Sequence, residues 1–238
     1  MKKTYKYLWI MLFLIFSMST VSADEITADS LTYNGKSQIV TATGNVIIQN
    51  NEGAIITGNE GEYNFITHTA YITGNVVYEK DSIHMTAGKI SLYSDHTIHG
   101  SGHVSIEDSS GPHLLKGEEI TYQDETGFGK IIGNAYYESA KGYLSAPQIE
   151  GNIKEIHIEA IGGVTFSYPA QNAEGRSDTA VYTRSGMNGT DGQLVLTGAA
   201  HVIQNGNIFD GPELIIRDNE QIVETGGRST LVIQTDKS

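Results

Sequence analysis

The chain has 238 residues, 28 acidic against 15 basic and no cysteine, giving a formal charge of −13. Without cysteine there is neither a disulfide framework nor a lipoprotein attachment site, so strand pairing and apolar burial must hold the fold. So negative a chain is poorly suited to nucleic acid or to electrostatic docking on anionic membranes.

In chain order, Lys2, Lys3 and Lys6 precede an apolar run from Tyr7 to Phe16, and Val21-Ser22-Ala23 supplies a small-x-small site. The pattern predicts a secretory signal peptide over residues 1–23, removed after Ala23. A retained membrane anchor is the alternative, but Leu8–Phe16 falls well short of the ~20 residues that a spanning helix needs. Cleavage would remove three lysines and leave the remainder more acidic still.

From Asp24 onward the chain reads as one domain of about seven repeats, ending at Ser238. A glycine followed two and four residues later by apolar residues recurs at Gly44, Gly74, Gly102, Gly133, Gly162, Gly198 and, with polar followers, Gly226. Spacings are 28 to 31 residues except for 36 between Gly162 and Gly198, where Ser185–Gly192 forms a Gly-rich insertion. Such a period signals an architecture built by stacking one small unit.

Each unit has two halves. The first appears as Ile26-Thr-Ala-Asp29-Ser-Leu31-Thr-Tyr33, as Leu115 to Tyr122 and as Phe209 to Ile216, with looser copies at Ile56–Tyr63 and Gly175–Tyr182. The second appears as Val40-Thr-Ala-Thr-Gly44-Asn-Val46-Ile-Ile48 and as Ala70 to Tyr78. Asp29 and Asp178 share an acidic position that Asn59, Gly88 and Pro147 do not keep. The period within each half is two, which predicts strands and essentially no helix. Gly-Asn or Gly-Gly inside a strand predicts a bulge that curves the sheet. Asn34-Gly35, Asn50–Gly53, Asp108–Pro112 and Asn205–Asn207 supply turns.

Period-two parity puts the plus-two and plus-four residues on a common inner face. If each unit gives one strand to each of two facing sheets, the lining comprises Ile26, Leu31, Tyr33, Val46, Ile48, Tyr63, Val76, Tyr122, Val164, Phe166, Tyr182 and Val202. Patterning leaves two readings of that lining: a fully packed core, or a slot that holds a ligand. Ile47, one residue out of phase, is expected on the outer face.

Ile26–Tyr33 followed by Thr43-Gly44-Asn45-Val46-Ile47-Ile48-Gln49, and again Leu196–Gln204 through Gly211 to Gly226, resemble the OstA-like family of lipopolysaccharide-transport proteins, of the LptA type. The resemblance implies a periplasmic bridge protein with a twisted, slightly open β-jellyroll. Its interior would shelter the acyl chains of lipid A, so the twelve lining residues become candidate lipid contacts. Copies of such proteins join end to end through terminal strands, reaching an inner-membrane extractor complex on one side and an outer-membrane translocon on the other. No cofactor is implied.

Other chemistry is thinly represented. Asp95-His96, His99 and His103 invite a metal reading, but strand parity places His99 and His103 on the outer face or in a turn. No Gly-x-Ser-x-Gly elbow, phosphate loop or isolated carboxylate pair stands out from the repeat, so no catalytic residue is nominated. Two alternatives remain: a secreted parallel β-helix (a polysaccharide lyase or an adhesin), and a lipid-free envelope scaffold polymerising by its edge strands.

Overall fold

A computed structural model describes residues 25–49, 53–109, 113–123, 125–139, 142–152, 155, 157–184, 192–217 and 223–234. The predicted signal peptide, most of the Ser185–Gly192 insertion, and Asn50–Glu52 lie outside these. The described residues are almost entirely strand, with one 3-10 turn at Pro169–Gln171. The all-β array of tandem antiparallel strands is as the sequence predicts. Contacts group into two units, Met1–Gly127 and Phe128–Ser238.

In the first unit the strands are β1 (Glu25–Thr27), β2 (Ser30–Asn34), β3 (Ile39–Gln49), β4 (Ile55–Asn64), β5 (Thr69–Lys80), β6 (Ile83–Leu92), β7 (Thr97–Asp108) and β8 (His113–Gln123). From β3 onward each pairs antiparallel with the next, while β1 and β2 both lie along β3. The second unit repeats the scheme with β9 (Phe128–Ser139), β10 (Gly142–Asn152), β11 (His157–Tyr168), β12 (Ala173–Arg184), β13 (Gly192–Gln204) and β14 (Asn207–Arg217). Here β15 (Val223–Gly226) and β16 (Thr230–Val232) share the last partner, β14.

One expectation needs correction. The two halves of a repeat do not sit in opposite sheets; they are consecutive, hydrogen-bonded neighbours. Ile56 pairs with Tyr78 and Tyr63 with Ala70 across β4 and β5. The hairpin turns follow from local chemistry. The Asn34 side-chain carbonyl accepts from the N–H groups of Lys36 and Ser37 (3.0 and 3.2 Å), and Asn64 does the same for Ile66 and Thr67 (2.9 and 3.1 Å). Such Asx turns reverse the chain without help from the rest of the fold.

The predicted bulges recur on alternate strands. Between the pairs Thr43–Glu60 and Val46–Gly58, two residues of β3 face a single residue of β4. Both bulge residues have positive φ, 78° at Gly44 and 46° at Asn45, and β5, β7, β9, β11 and β13 repeat the device. Glycine and asparagine tolerate that region, which is why the motif reads Gly-Asn.

The bulge also explains why the acidic position belongs to the motif. A Cβ on Gly44 would run into the Asp29 side chain, one on Gly198 into Asp178, and one on Gly74 to 2.7 Å from Asn59. Asp29 is held there because its N–H donates to the Gly44 carbonyl (2.8 Å) and its carboxylate accepts from the Asn45 side-chain amide (2.9 Å). The half-motifs are thus two sides of one contact.

Residues on one face are buried on both sides of each bulge: Ile72 and Ile90 before it, Tyr78, Met85 and Ile106 after it. A single sheet cannot bury its own face unless it folds over, and the contacts show that it does. A Cβ on Gly100, before the bulge, would lie 3.0 Å from the Met85 methyl, after it. At the bend, large inward residues sit opposite small ones: Val46 faces Gly58, Val76 faces Ala87, Val104 faces Gly117 and Val164 faces Ser177. Each such burial contributes about 1.5–3 kcal/mol, and together they hold the fold closed at the bend.

Candidate functional site

The interior of each unit is a set of cross-strand rows. In the first unit one row runs Ile26, Ile48, Ile56, Tyr78, Met85, Ile106, Leu115. A second runs Leu31, Ala42, Gly61, Ile72, Ile90, Gly100, Ile120, and a third Tyr33, Val40, Tyr63, Ala70, Leu92, Ile98, Tyr122. In the second unit Tyr137, Leu144, Phe166, Gly175, Val202, Phe209 and Leu231 form one row. Ile158, Tyr182, Leu194, Ile216 and Val223 form another.

The twelve predicted lining residues are distributed over the two units, seven from Ile26 to Val76 in strands β1–β5, Tyr122 in β8, and four from Val164 to Val202 in strands β11–β13. Val46, Val76 and Tyr122 are buried in the first unit, Val164, Phe166 and Val202 in the second. Ile26, Ile48, Tyr63 and Tyr182 are partly exposed. Leu31 and Tyr33 share rows with buried residues but are themselves 50% and 61% exposed. The reason is position: β2 has β3 on one side and, among the described residues, no further strand on the other. Tyr33 meets Phe65 edge-on, ring centres 6.3 Å apart, and Phe65 is itself exposed. Ile47 is 42% exposed beside its buried neighbour Val46, as its parity requires.

The rows end differently on their two sides. Tyr33, Tyr63, Leu92 and Tyr122 make one margin apolar and aromatic. The other margin, six residues past each bulge glycine, carries Lys80 and Asp108 in the first unit and Ser139, Tyr168 and Gln204 in the second. Lys80 and Asp108 are only 6% and 5% exposed. His113 stands opposite Asp108; burial pulls its pKa below the usual imidazole value, against the pull of the Asp108 carboxylate. These three were missed in the sequence, although extending the parity count from plus four to plus six finds Lys80 and Asp108.

The outer face is polar and laced with short-range pairs. His99 Nδ1 lies 3.1 Å from Thr121 Oγ1, His103 Nδ1 2.9 Å from Glu118, and His201 Nδ1 2.7 Å from Asp210. His103 is the second residue of the β7 bulge, with φ 56°. Among the described residues no group of three or more metal-ligating side chains forms.

Antiparallel hairpins, each bent at a left-handed bulge and lined by apolar cross-strand rows, define an all-β repeat protein. The chain belongs to the LptA/(LptD N-terminal domain) LPS transport protein family, whose model matches residues 55–222. No curated protein matches the chain. Among solved structures it is similar to LptH of Pseudomonas aeruginosa, described as the LptA-homologous periplasmic component of the conserved lipopolysaccharide transport device. That match has 17% identity, covers 90% of this chain and 96% of LptH, and has a TM-score of 0.20. The matched family is one of lipopolysaccharide-transport proteins.

Proposed function

We propose that the chain is a periplasmic bridge protein that carries lipopolysaccharide from inner to outer membrane by sheltering lipid A acyl chains in its folded-over interior. The observation that supports this reading is the set of interior rows in each unit, apolar from strand to strand, with β1, β2, β15 and β16 each paired on one side only among the described residues. Exposing a chain to water costs about 0.8 kcal/mol per CH₂, so several acyl chains cannot cross an aqueous space without such cover. Self-association end to end, and docking on the inner-membrane extractor and the outer-membrane translocon, would use the free sides of β1/β2 and β15/β16 by strand addition. Residues 24–238 would act as one continuous domain once the leader is removed. Catalysis has no part in this role.

The test is photo-crosslinking in cells that make lipopolysaccharide, with a photoreactive residue at Tyr122, at Phe166 and, as outward control, at Ile47. Lipid adducts from the two interior positions and none from Ile47 are expected. Equal adducts from all three, or adducts from Ile47 alone, would refute an interior path.

A further inference from the structure

The turn that closes β2 onto β3 carries chemistry that packing does not use. Asn-Gly occurs at Asn34-Gly35, Asn188-Gly189 and Asn205-Gly206, the second of which lies outside the described residues. An asparagine amide is open to attack by the main-chain nitrogen of the next residue, and a glycine there leaves the approach unhindered. Asn34 and Gly35 are both exposed. The Asn34 side-chain carbonyl already accepts from the N–H groups of Lys36 and Ser37, at 3.0 and 3.2 Å. Those donors sit where negative charge gathers on Oδ1 as the amide carbon turns tetrahedral, the arrangement of an oxyanion hole.

Two other asparagines show what sets Asn34 apart. Asn64 makes the same turn, but the next residue is Phe65, whose N–H donates to the Gln38 carbonyl beside it on the β3 side (3.0 Å). Gly35 holds the corresponding place after β2. No strand precedes β2 on that flank among the described residues, and no acceptor there meets the Gly35 N–H. Asn205 is followed by glycine, but its side-chain carbonyl takes the Asn172 amide (3.0 Å) and its own N–H donates to the Asn172 carbonyl (3.1 Å).

We propose that Asn34-Gly35 is a self-modifying site, which converts in water to an isoaspartyl linkage and thereby loosens β2. The Gly35 nitrogen bonds to Asn34 Cγ, the Cγ–Nδ2 bond breaks, and the amide leaves as ammonia with the proton of the Gly35 N–H. Water then opens the five-membered ring at one of its two carbonyls, giving aspartate or isoaspartate. In isoaspartate the main chain runs through Cγ and is longer by a CH₂, so the side-chain acceptor that held Lys36 and Ser37 is gone and the turn with it. Only the ladder with β3 then restrains β2. This inference does not depend on the lipid path.

The test incubates the protein, purified as the cell processes it, at neutral pH, folded and in urea. Peptides carrying Asn34, Asn64 and Asn205 are followed by mass spectrometry and by isoaspartyl-specific methylation. In the folded protein Asn34 should convert about tenfold faster than Asn205, the weight of roughly one hydrogen bond in the barrier. In urea the two should convert at equal rates, since only the fold separates them. Gly35→Ala should suppress conversion at Asn34 and keep the turn: the added Cβ would lie 3.7 Å from the Tyr33 ring, an ordinary contact, and Gly35 does not take a left-handed φ. Wild type after incubation should show faster amide hydrogen exchange over Ser30–Asn34, and Gly35→Ala treated alike should not. Equal folded rates at Asn34 and Asn205 would overturn the site. Conversion without faster exchange, or equally faster exchange in Gly35→Ala, would overturn the loosening of β2.

Discussion

Two copies of the same half-motif, Ile26–Tyr33 and Leu115–Tyr122, show what the repeat specifies and what it does not. Both end on an inward tyrosine in the same cross-strand row. Tyr122 is 1% exposed and Tyr33 61%. The motif sets the direction of the side chain, because period two and the bulge fix which face it takes. Burial is set by whether strands cover that face, and at β2 one flank has none among the described residues. The carboxy-terminal copy repeats the lesson. Val202 is buried on β13, its row neighbour Phe209 on β14 is partly exposed, and Leu231 on β16 is half-exposed.

The largest effect separating the two copies should come from truncating the tyrosines. Tyr122→Ala should cost about 3–5 kcal/mol in urea unfolding, as for other buried aromatics. Tyr33→Ala should cost about 0.5 kcal/mol, the ordinary range of a surface change. A large Tyr33 cost that vanishes on dilution would break the comparison, since it would mean that another copy covers β2 in solution.

A middle-sized effect should come from the bulges. Gly74→Ala forces a Cβ to 2.7 Å from Asn59 and also meets an unfavourable φ of 87°, whereas Gly53 has φ 83° and nothing within 4 Å. Conformational strain alone is worth about 1–2 kcal/mol. Gly53→Ala should show that much, and Gly74→Ala more, with chemical denaturation as the readout. Equal losses would mean that Asn59 moves aside freely and that the contact between half-motifs is dispensable.

The smallest effect concerns pH. The folded pKa of His113 is lowered by burial, so the unfolded chain binds its proton more readily. Stability linked to this group is therefore held above the ordinary imidazole value and lost as pH falls through the window just beneath it. Urea midpoints taken from pH 7 downward should fall less for His113→Gln than for wild type. An unchanged slope would remove His113 from the buried margin.

Much of this was legible in the sequence. Strand parity, the Gly-Asn bulges, and inward Val46, Val76, Val164, Phe166 and Val202 follow from period two and from left-handed backbone tolerance, both local properties. The pairing of half-motifs as neighbours was not legible, because parity tells which way a side chain points but not which strand lies beside it. Exposure of Leu31 and Tyr33 follows from β2 having a strand on one flank only among the described residues, which their own residues cannot encode. The link between Asp29 and Gly44 was visible as co-occurrence, and only the fold shows the carboxylate resting over the glycine. Lys80 and Asp108 went unread because each follows an apolar strand and resembles the start of a turn.

The bulges also act as a ruler. The bends at Gly44, Gly74, Gly162 and Gly198 each sit against a side chain of the adjacent strand or, at Gly44, of the link between β1 and β2, so one hairpin carries what is needed to seat its own bend. Its enclosed length is then quantised: adding or deleting a hairpin would change it by two strand spacings, about 9.6 Å. Intermediate lengths would leave a bulge glycine without the neighbouring strand that seats it.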